Sequence, residues 1–234
     1  MLTGRRNVQR MLALAAGMRQ EHGLTRAFAL LLFRALARVS GGTLLACLHK
    51  PVGPVEPCAA RLLTRQEIET ASTDPELDLP PEFVASTQHS QCFGVLVDGQ
   101  VRCYAWTSSE PVRAVPGTIV RMSPDAAYVF KAFTDPSFRR RGLLRECLKA
   151  IEQSAVRDGR DEVTALVEAH NRSSLRAFRN AGFDRCGFVF VLRRPWLVRR
   201  IGCRCATPCT WSRDKKPAPA SLFRSASDAL ARRT

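Results

Sequence analysis

The chain has 234 residues, of which 45% are hydrophobic and 24% are charged, so most of it can fold around a buried core. Its formal net charge of +15 allows a nucleic acid, an anionic membrane surface or an anionic small molecule as partner. No zinc-finger, leucine-zipper or aromatic-interleaved RNA-binding pattern accompanies the clustered arginines, which argues against nucleic-acid binding. The nine cysteines are odd in number and show no complete metal-ligand pattern, so we expect neither a disulfide framework nor a bound metal.

Residues 1–58 are predicted to form an N-terminal extension with a helical region, a short strand at 43–48 and a proline-rich linker. The segment 27–39 is apolar at helical spacing, but arginines interrupt it and it is too short to span a bilayer. It is a helix packed on the domain, a homodimer contact, or a helix lying on an anionic membrane surface. Because no convincing secretory signal precedes the domain, we expect a cytoplasmic protein, peripheral to the membrane if the last alternative holds.

The first half of the core carries two local signals. Thr64 and Glu67 have the spacing of a capping box, which predicts a short helix after a strand at 59–63. Pro81 is expected to open a second short helix after a loop that begins at Asp74. Strand-like runs at 92–97 and 101–107 are joined by Asp-Gly, the dipeptide typical of a tight β-hairpin.

The second half alternates strands and helices. We predict a strand at 126–133, a loop at 134–141, an amphipathic helix at 142–157, a buried strand at 163–167, a helix at 173–180 and a last strand at 184–192. This order predicts an α/β fold, with one mixed sheet flanked by helices in a domain of residues 59–201. The segment 202–234 is basic and poor in aliphatic residues, so we expect a disordered tail.

An arginine-rich loop stands between a predicted strand and the amphipathic helix. Arg139, Arg140 and Arg141 precede Gly142, where the helix begins. The first N–H groups of a helix have no internal partner, and the helix dipole adds partial positive charge. Glycine lets the backbone approach a ligand closely, and arginines supply charge-assisted hydrogen bonds. The segment is therefore suited to a pyrophosphate.

Two motifs together resemble a known family. Residues 139–144, Arg-Arg-Arg-Gly-Leu-Leu, resemble the acyl-CoA pyrophosphate loop of the GNAT superfamily, (Arg/Gln)-x-x-Gly-x-(Gly/Ala), with Leu144 in place of the second small residue. Downstream, Asn171, Ser174, Phe178 and the pair Gly182-Phe183 are similar to the family's Asn-x-x-(Ala/Ser), aromatic and Gly-Phe positions. The resemblance covers about residues 59–192 and implies a mixed, mostly antiparallel central sheet flanked by helices.

The resemblance also implies a co-substrate and its site. Acetyl-CoA, or another acyl-CoA, would donate an acyl group to the amine of a small molecule or peptide. Backbone groups near Phe133 and Thr134 would pair with the pantetheine arm, and an amide there would polarise the thioester. The residues implied to hold acyl-CoA are Phe133, Thr134, Arg139, Arg140, Arg141, Gly142, Leu143, Leu144, Asn171, Ser174 and Phe178.

The catalytic groups are the least determined. Glu168, at the end of a predicted strand, is the candidate base, and His170 is the second candidate. The family commonly has a tyrosine proton donor where this chain has Phe178. Three functions therefore remain open: an active N-acyltransferase, which we favour, a catalytically weak acyl-CoA-binding module, and a basic nucleic-acid-binding protein.

Overall fold

The structure is a computed structural model, and it describes residues 42–54, 56–87, 89–192, 197–202 and 209–214. The predicted helix at 27–39 and most of the predicted tail lie outside the described residues. The chain divides into two compact units. One unit contains residues 1–44 and 190–199, of which the structure describes only short stretches at the ends of strands. The other unit contains residues 45–189 and 200–234. Across the described ranges, no helix is long and apolar enough to cross a membrane.

The described strands form two sheets. The strands are β1 (Thr43–Pro51), β2 (Arg61–Leu62), β3 (Gln91–Val97), β4 (Gln100–Ser108), β5 (Val112–Val115), β6 (Thr118–Arg121), β7 (Ala126–Thr134), β8 (Glu162–Glu168), β9 (Asp184–Leu192), β10 (Leu197–Ile201) and β11 (Thr210–Arg213). The helices are α1 (Arg65–Ser72), α2 (Pro81–Ser86), α3 (Leu143–Arg157) and α4 (Arg172–Asn180). The main sheet has the order β10-β9-β1-β8-β7-β4-β3-β2, and the second sheet has the order β11-β6-β5.

The main sheet is mixed and mostly antiparallel, as predicted. β7 and β8 run parallel, as expected for two strands joined by a helical crossover. Antiparallel pairing joins β1 to β8, β2 to β3, β3 to β4 and β4 to β7. Side chains of consecutive β4 residues pack on opposite faces of the sheet, in two separate hydrophobic cores, because side chains alternate across a strand. Cys103 and Ala105 pack with α3 and α4, whereas Tyr104 and Trp106 pack with α1 and α2.

The local signals in the sequence form the predicted structures. The Thr64 hydroxyl accepts from the Glu67 amide while the Glu67 carboxylate accepts from the Thr64 amide, which completes the capping box of α1. Asp98 and Gly99 have φ angles of 52° and 74°, the left-handed conformations that a two-residue hairpin needs. The helix predicted at 142–157 is α3, and its apolar face is buried through Cys147, Leu148 and Ile151.

Two segments occupy positions that differ from the expectation. β1, which we assigned to the extension before residue 59, lies between β9 and β8 in the main sheet. Its residues 45–48 are buried, so this strand belongs to the core. Within the tail that we expected to be disordered, Thr210–Arg213 pairs with β6. The hairpin of β5 and β6 was not predicted, because each strand has only four residues.

Candidate functional site

β7 and β8 separate at the end of the sheet that the arginines approach. Their described pairing joins 126–129 to 162–165 only. Both strands continue beyond it, β7 to Thr134 and β8 to Glu168. There β8 pairs on its other edge with β1, and β7 pairs on its other edge with β4. The facing edges of β7 and β8 are therefore open to a ligand that extends along the strands.

The register of β4 and β7 decides which backbone groups face this opening. The Asp135 amide donates to the Arg102 carbonyl at 2.9 Å, and the antiparallel register continues with Thr134 opposite Cys103 and Phe133 opposite Tyr104. Because hydrogen-bonded pairs alternate along an antiparallel ladder, the N–H and C=O of Phe133 point toward β4. The groups of Thr134, and of Ala132 before it, point toward the opening. The Phe133 side chain is buried and stacks on Tyr104.

The arginine loop, residues 135–142, connects β7 to α3 through one 3₁₀ turn (Pro136–Phe138). Asp135 caps this turn, because its carboxylate accepts from the Ser137 amide at 2.9 Å and the Ser137 hydroxyl at 2.6 Å. Arg140 and Gly142 have φ angles of 64° and 78°. These left-handed conformations turn the chain sharply before α3, where Gly142 is the N-cap.

The amides of residues 140–144 form the anion-binding feature of the loop. Among the described residues, none accepts a hydrogen bond from these five consecutive N–H groups. They lie at the N-terminus of a 15-residue helix, so the helix dipole adds to their positive potential. Gly142 is exposed, and a Cβ there would meet no atom within 4 Å. The structure thus leaves both the donors and the space that a phosphate group needs.

The side chains of the loop leave this face accessible. Arg139, Arg140 and Arg141 are exposed. The Arg139 guanidinium donates to the Thr134 carbonyl at 3.3 Å and lies 5.8 Å from the Phe133 ring. The side chains of Leu143 and Leu144 pack against the main core. Leu144 therefore contributes its amide to the loop while its side chain is directed to the protein interior.

Glu168 and His170, the two candidate bases, are brought together. His170 Nε2 lies 3.3 Å from Glu168 Oε2, and about a third of the Glu168 side chain is exposed. Glu168 is the last residue of β8, and its carbonyl accepts from the Asn171 amide at 2.8 Å. Asn171 in turn caps α4 by accepting from the Ser174 amide at 3.1 Å. The strand end and the helix start thus hold a partly exposed carboxylate beside the opening between β7 and β8.

Phe178 lies in the core. It is 4% exposed, and its ring packs edge-on against Phe183 with centroids 5.1 Å apart. Ser174, one turn earlier on α4, is half-buried. The implied role of Phe178 in holding acyl-CoA stays a prediction, and a phenylalanine ring offers no proton donor.

Sequence reasoning did not predict the contacts that join Lys131, Tyr104 and Asp78 into a polar network on the face of the sheet that α1 and α2 cover. Lys131 Nζ donates to Asp78 at 3.3 Å and lies 4.8 Å from the Phe83 ring centroid. Burial lowers the pKa of Lys131, and the nearby Asp78 carboxylate opposes that change. The Tyr104 hydroxyl donates to the Asp78 carbonyl. Asp135 was also missed, although Asp-Pro-Ser at 135–137 is a signal for a capped turn.

Comparison with known proteins identifies the family. A sequence model described as "Acetyltransferase (GNAT) family" matches residues 60–183, which is more than half of the 234 residues. The chain belongs to the GNAT acetyltransferase family. The match to this family includes the arginine loop, both candidate bases and α4. No curated protein sequence matches the chain.

Solved structures of the GNAT family resemble the chain at low sequence identity. A putative GNAT acetyltransferase from Novosphingobium aromaticivorans has 20% identity and a TM-score of 0.49, and the match covers 64% of this chain and 62% of that one. The aminoglycoside N-acetyltransferase AAC(6')-Iy in complex with CoA has 20% identity, a TM-score of 0.43, and coverage of 54% and 91%. The ribosomal-protein-S18-alanine N-acetyltransferase from Escherichia coli has 18% identity, a TM-score of 0.40, and coverage of 53% and 75%.

Proposed function

We propose that the protein transfers an acetyl group from acetyl-CoA to the amine of a small molecule or peptide. The observation that carries this proposal is the row of five amides at residues 140–144, which have no acceptor in the described part of the chain. They lie at the start of α3, beside three exposed arginines. These donors fit a pyrophosphate, and they adjoin the open edge of β7. An acyl-CoA carries both a pyrophosphate and an extended arm that can lie along that edge.

The backbone of β7 would bind and orient the arm. The amides of Thr134 and Ala132 face the opening, so they can donate to an extended chain as a neighbouring strand would. One of them would donate to the thioester oxygen, where negative charge develops during acyl transfer. Preorganised amides of this kind commonly contribute a factor of about 100 to 1,000 in rate.

Glu168 would accept the proton of the attacking amine. Attack forms the C–N bond and breaks the C–S bond, and the amine must lose one proton while the sulfur gains one. Glu168 lies at the open end of β8 and contacts His170, so the proton can pass from the amine to this pair and then to solvent or the departing sulfur. A positioned general base typically contributes a factor of about 100 to 10,000.

A second candidate function is that of an acyl-CoA-binding module with little catalysis. The phenylalanine at position 178 favours it, since it cannot protonate the leaving thiolate as the tyrosine common in the family at this position would. Amine-dependent release of thiol from acetyl-CoA distinguishes the transferase from the binding module. The cytoplasmic location, the homodimer and the contact with a membrane stay predictions, and they depend on segments outside the described residues.

Thermal unfolding with and without acetyl-CoA tests the site. A ligand at one hundred times its Kd adds about 2.7 kcal/mol to the free energy of unfolding, which raises Tm by about 5–11 °C for a chain of this size. Gly142→Asp places a carboxylate among the amides of residues 140–144, and its negative charge should abolish the Tm shift. Aspartate tolerates a positive φ, so the variant is expected to retain the fold. Inorganic pyrophosphate serves as the ionic control.

Turnover is then measured as thiol release on a panel of amines that includes an aminoglycoside and a peptide with a free N-terminus. Release that requires both an amine and acetyl-CoA supports the transferase. Stabilisation by acetyl-CoA without thiol release on any amine supports the binding module. If acetyl-CoA and longer acyl-CoAs leave Tm unchanged, the proposed function is wrong.

A further inference from the structure

Arg102 reaches the arginine loop from the neighbouring strand. It lies near the start of β4, 33 positions before Asp135 in sequence, and its side chain is 21% exposed. We propose that Arg102 is a positioning residue for acyl-CoA: it holds the arginine loop in the conformation that presents the amides of residues 140–144. This inference rests on the proposed function.

Arg102 is paired with Asp135 through both its side chain and its backbone carbonyl. Arg102 Nη1 donates to Asp135 Oδ2 at 3.0 Å, and the Arg102 carbonyl accepts from the Asp135 amide at 2.9 Å. Asp135 is 4% exposed and caps the 3₁₀ turn with its other carboxylate oxygen, which accepts from Ser137. One arginine therefore fixes the residue that shapes the first half of the loop.

Arg102 also packs against the aromatic ring of Phe138, which in turn packs against Arg141 in the second half of the loop. The guanidinium carbon of Arg102 lies 5.0 Å from the Phe138 ring centroid, and that of Arg141 lies 4.7 Å from the same centroid. Phe138 thus links Arg102 to an arginine that directly precedes Gly142. A guanidinium over the face of an aromatic ring is attracted by the ring quadrupole, so both arginines favour the observed position of the Phe138 ring.

Arg102 also offsets the negative charge that Asp135 brings into the loop. Burial raises the pKa of Asp135, but the hydrogen bonds from Ser137 and Arg102 outweigh burial, so this pKa lies below its usual value. Asp135 is therefore an anion inside a loop whose proposed ligand is an anion. Arg102 neutralises that carboxylate, and without Arg102 its charge would oppose pyrophosphate binding.

Arg102 has two more neighbours: its Nη2 donates to Gln100 on the same strand, and a second carboxylate connects it to the other side of the sheet. Asp74, at the start of the connection between α1 and α2, lies 3.9 Å from Arg102 Nη1. The same connection carries Asp78, which accepts from Lys131. The positioning effect is expected mainly through Asp135, because its carboxylate is the closer of the two, at 3.0 Å.

The test compares acetyl-CoA binding by Arg102→Met with that of wild type and of Arg113→Met. Arg113 is a matched control, because it is also a half-buried arginine paired with an aspartate, Asp214, and it lies in the second sheet. We expect Arg102→Met to raise the Kd of acetyl-CoA and its KM about tenfold or more, with kcat at saturation changed less, as a coupling of about 1.4 kcal/mol implies. Arg113→Met should leave the Kd within about twofold of wild type.

A double variant distinguishes positioning from a general loss of stability. Asp135→Asn keeps a capping side chain but removes the buried charge, so adding it to Arg102→Met should recover part of the lost affinity. A purely structural role predicts further loss instead, and this result or an unchanged Kd for Arg102→Met would overturn the proposal. If Arg102→Met does not fold, Arg102→Lys is measured instead. It keeps the charge without the planar fork, and a Kd equal to wild type would then overturn the proposal.

The failure of this inference is distinct from the failure of the proposed function. A wild-type chain that binds no acetyl-CoA contradicts the function itself. A wild-type chain whose binding is lost in Gly142→Asp but unchanged in the Arg102 variants contradicts only the role of Arg102.

Discussion

Replacing Gly142 by alanine should separate the cost of backbone strain from the cost of lost ligand contact. Gly142 has a φ angle of +78°, and a Cβ at this position would meet no atom within 4 Å. The substitution therefore creates no clash. Its cost to the free energy of unfolding is that of placing a Cβ in the left-handed region, about 1–2 kcal/mol, which lowers Tm by about 2–8 °C in a chain of this size.

Gly159 offers a matched control on the same helix. It follows the C-terminal end of α3 and has a φ angle of +67°, and a Cβ placed there would likewise meet no atom within 4 Å. Gly159→Ala should therefore lower Tm by the same amount as Gly142→Ala. The two variants differ in place only, since Gly142 lies among the amides of residues 140–144 and Gly159 lies at the opposite end of the helix.

Only Gly142→Ala should weaken acetyl-CoA binding. Its methyl group occupies the open space over the amides where a phosphate must approach, so we expect the Kd to rise at least about tenfold, or about 1.4 kcal/mol. Calorimetric titration gives the Kd of each variant, and thermal unfolding without ligand gives the strain. If both alanine variants bind acetyl-CoA as tightly as wild type, the pyrophosphate does not contact Gly142 and the assignment of the loop is wrong.

Three further substitutions test the remaining groups. Glu168→Gln should lower kcat about 100-fold or more in a thiol-release assay and leave the Kd of acetyl-CoA unchanged, and an unchanged kcat would exclude Glu168 as the base. Phe178→Tyr should cost about 1–3 kcal/mol of stability, because its hydroxyl enters the core beside Phe183, whereas an increase in kcat would contradict the buried position. Burial raises the pKa of Glu162 above 4.5, and its Oε1 has no partner within the described structure. The folded chain thus binds this proton more tightly than the unfolded chain, and stability falls as pH rises through the folded pKa. Glu162→Gln should therefore raise Tm at about pH 7.5 but not at about pH 4. Equal changes in Tm at both pH values would show that the buried charge of Glu162 is not the cause.

Much of the fold and part of the site could be predicted from short segments. The capping box at Thr64 and the Asp98-Gly99 hairpin formed as predicted, because each depends on residues within three positions of one another. The helix periodicity of α3 and the glycine before it likewise located the arginine loop. The proposed bases, Glu168 and His170, are close in sequence, and the structure places them in contact.

The sequence by itself determined the elements and the segment suited to an anion, because capping, turn chemistry and helical periodicity act over a few neighbouring residues. Only the tertiary structure decided that β1 lies in the main sheet, that Phe178 is buried, and that the amide of Phe133 faces β4 rather than the opening. It alone showed that Arg102 contacts Asp135. The physical reason is that strand order, register and burial are set by partners tens of residues away, and no local pattern records which of them will pair.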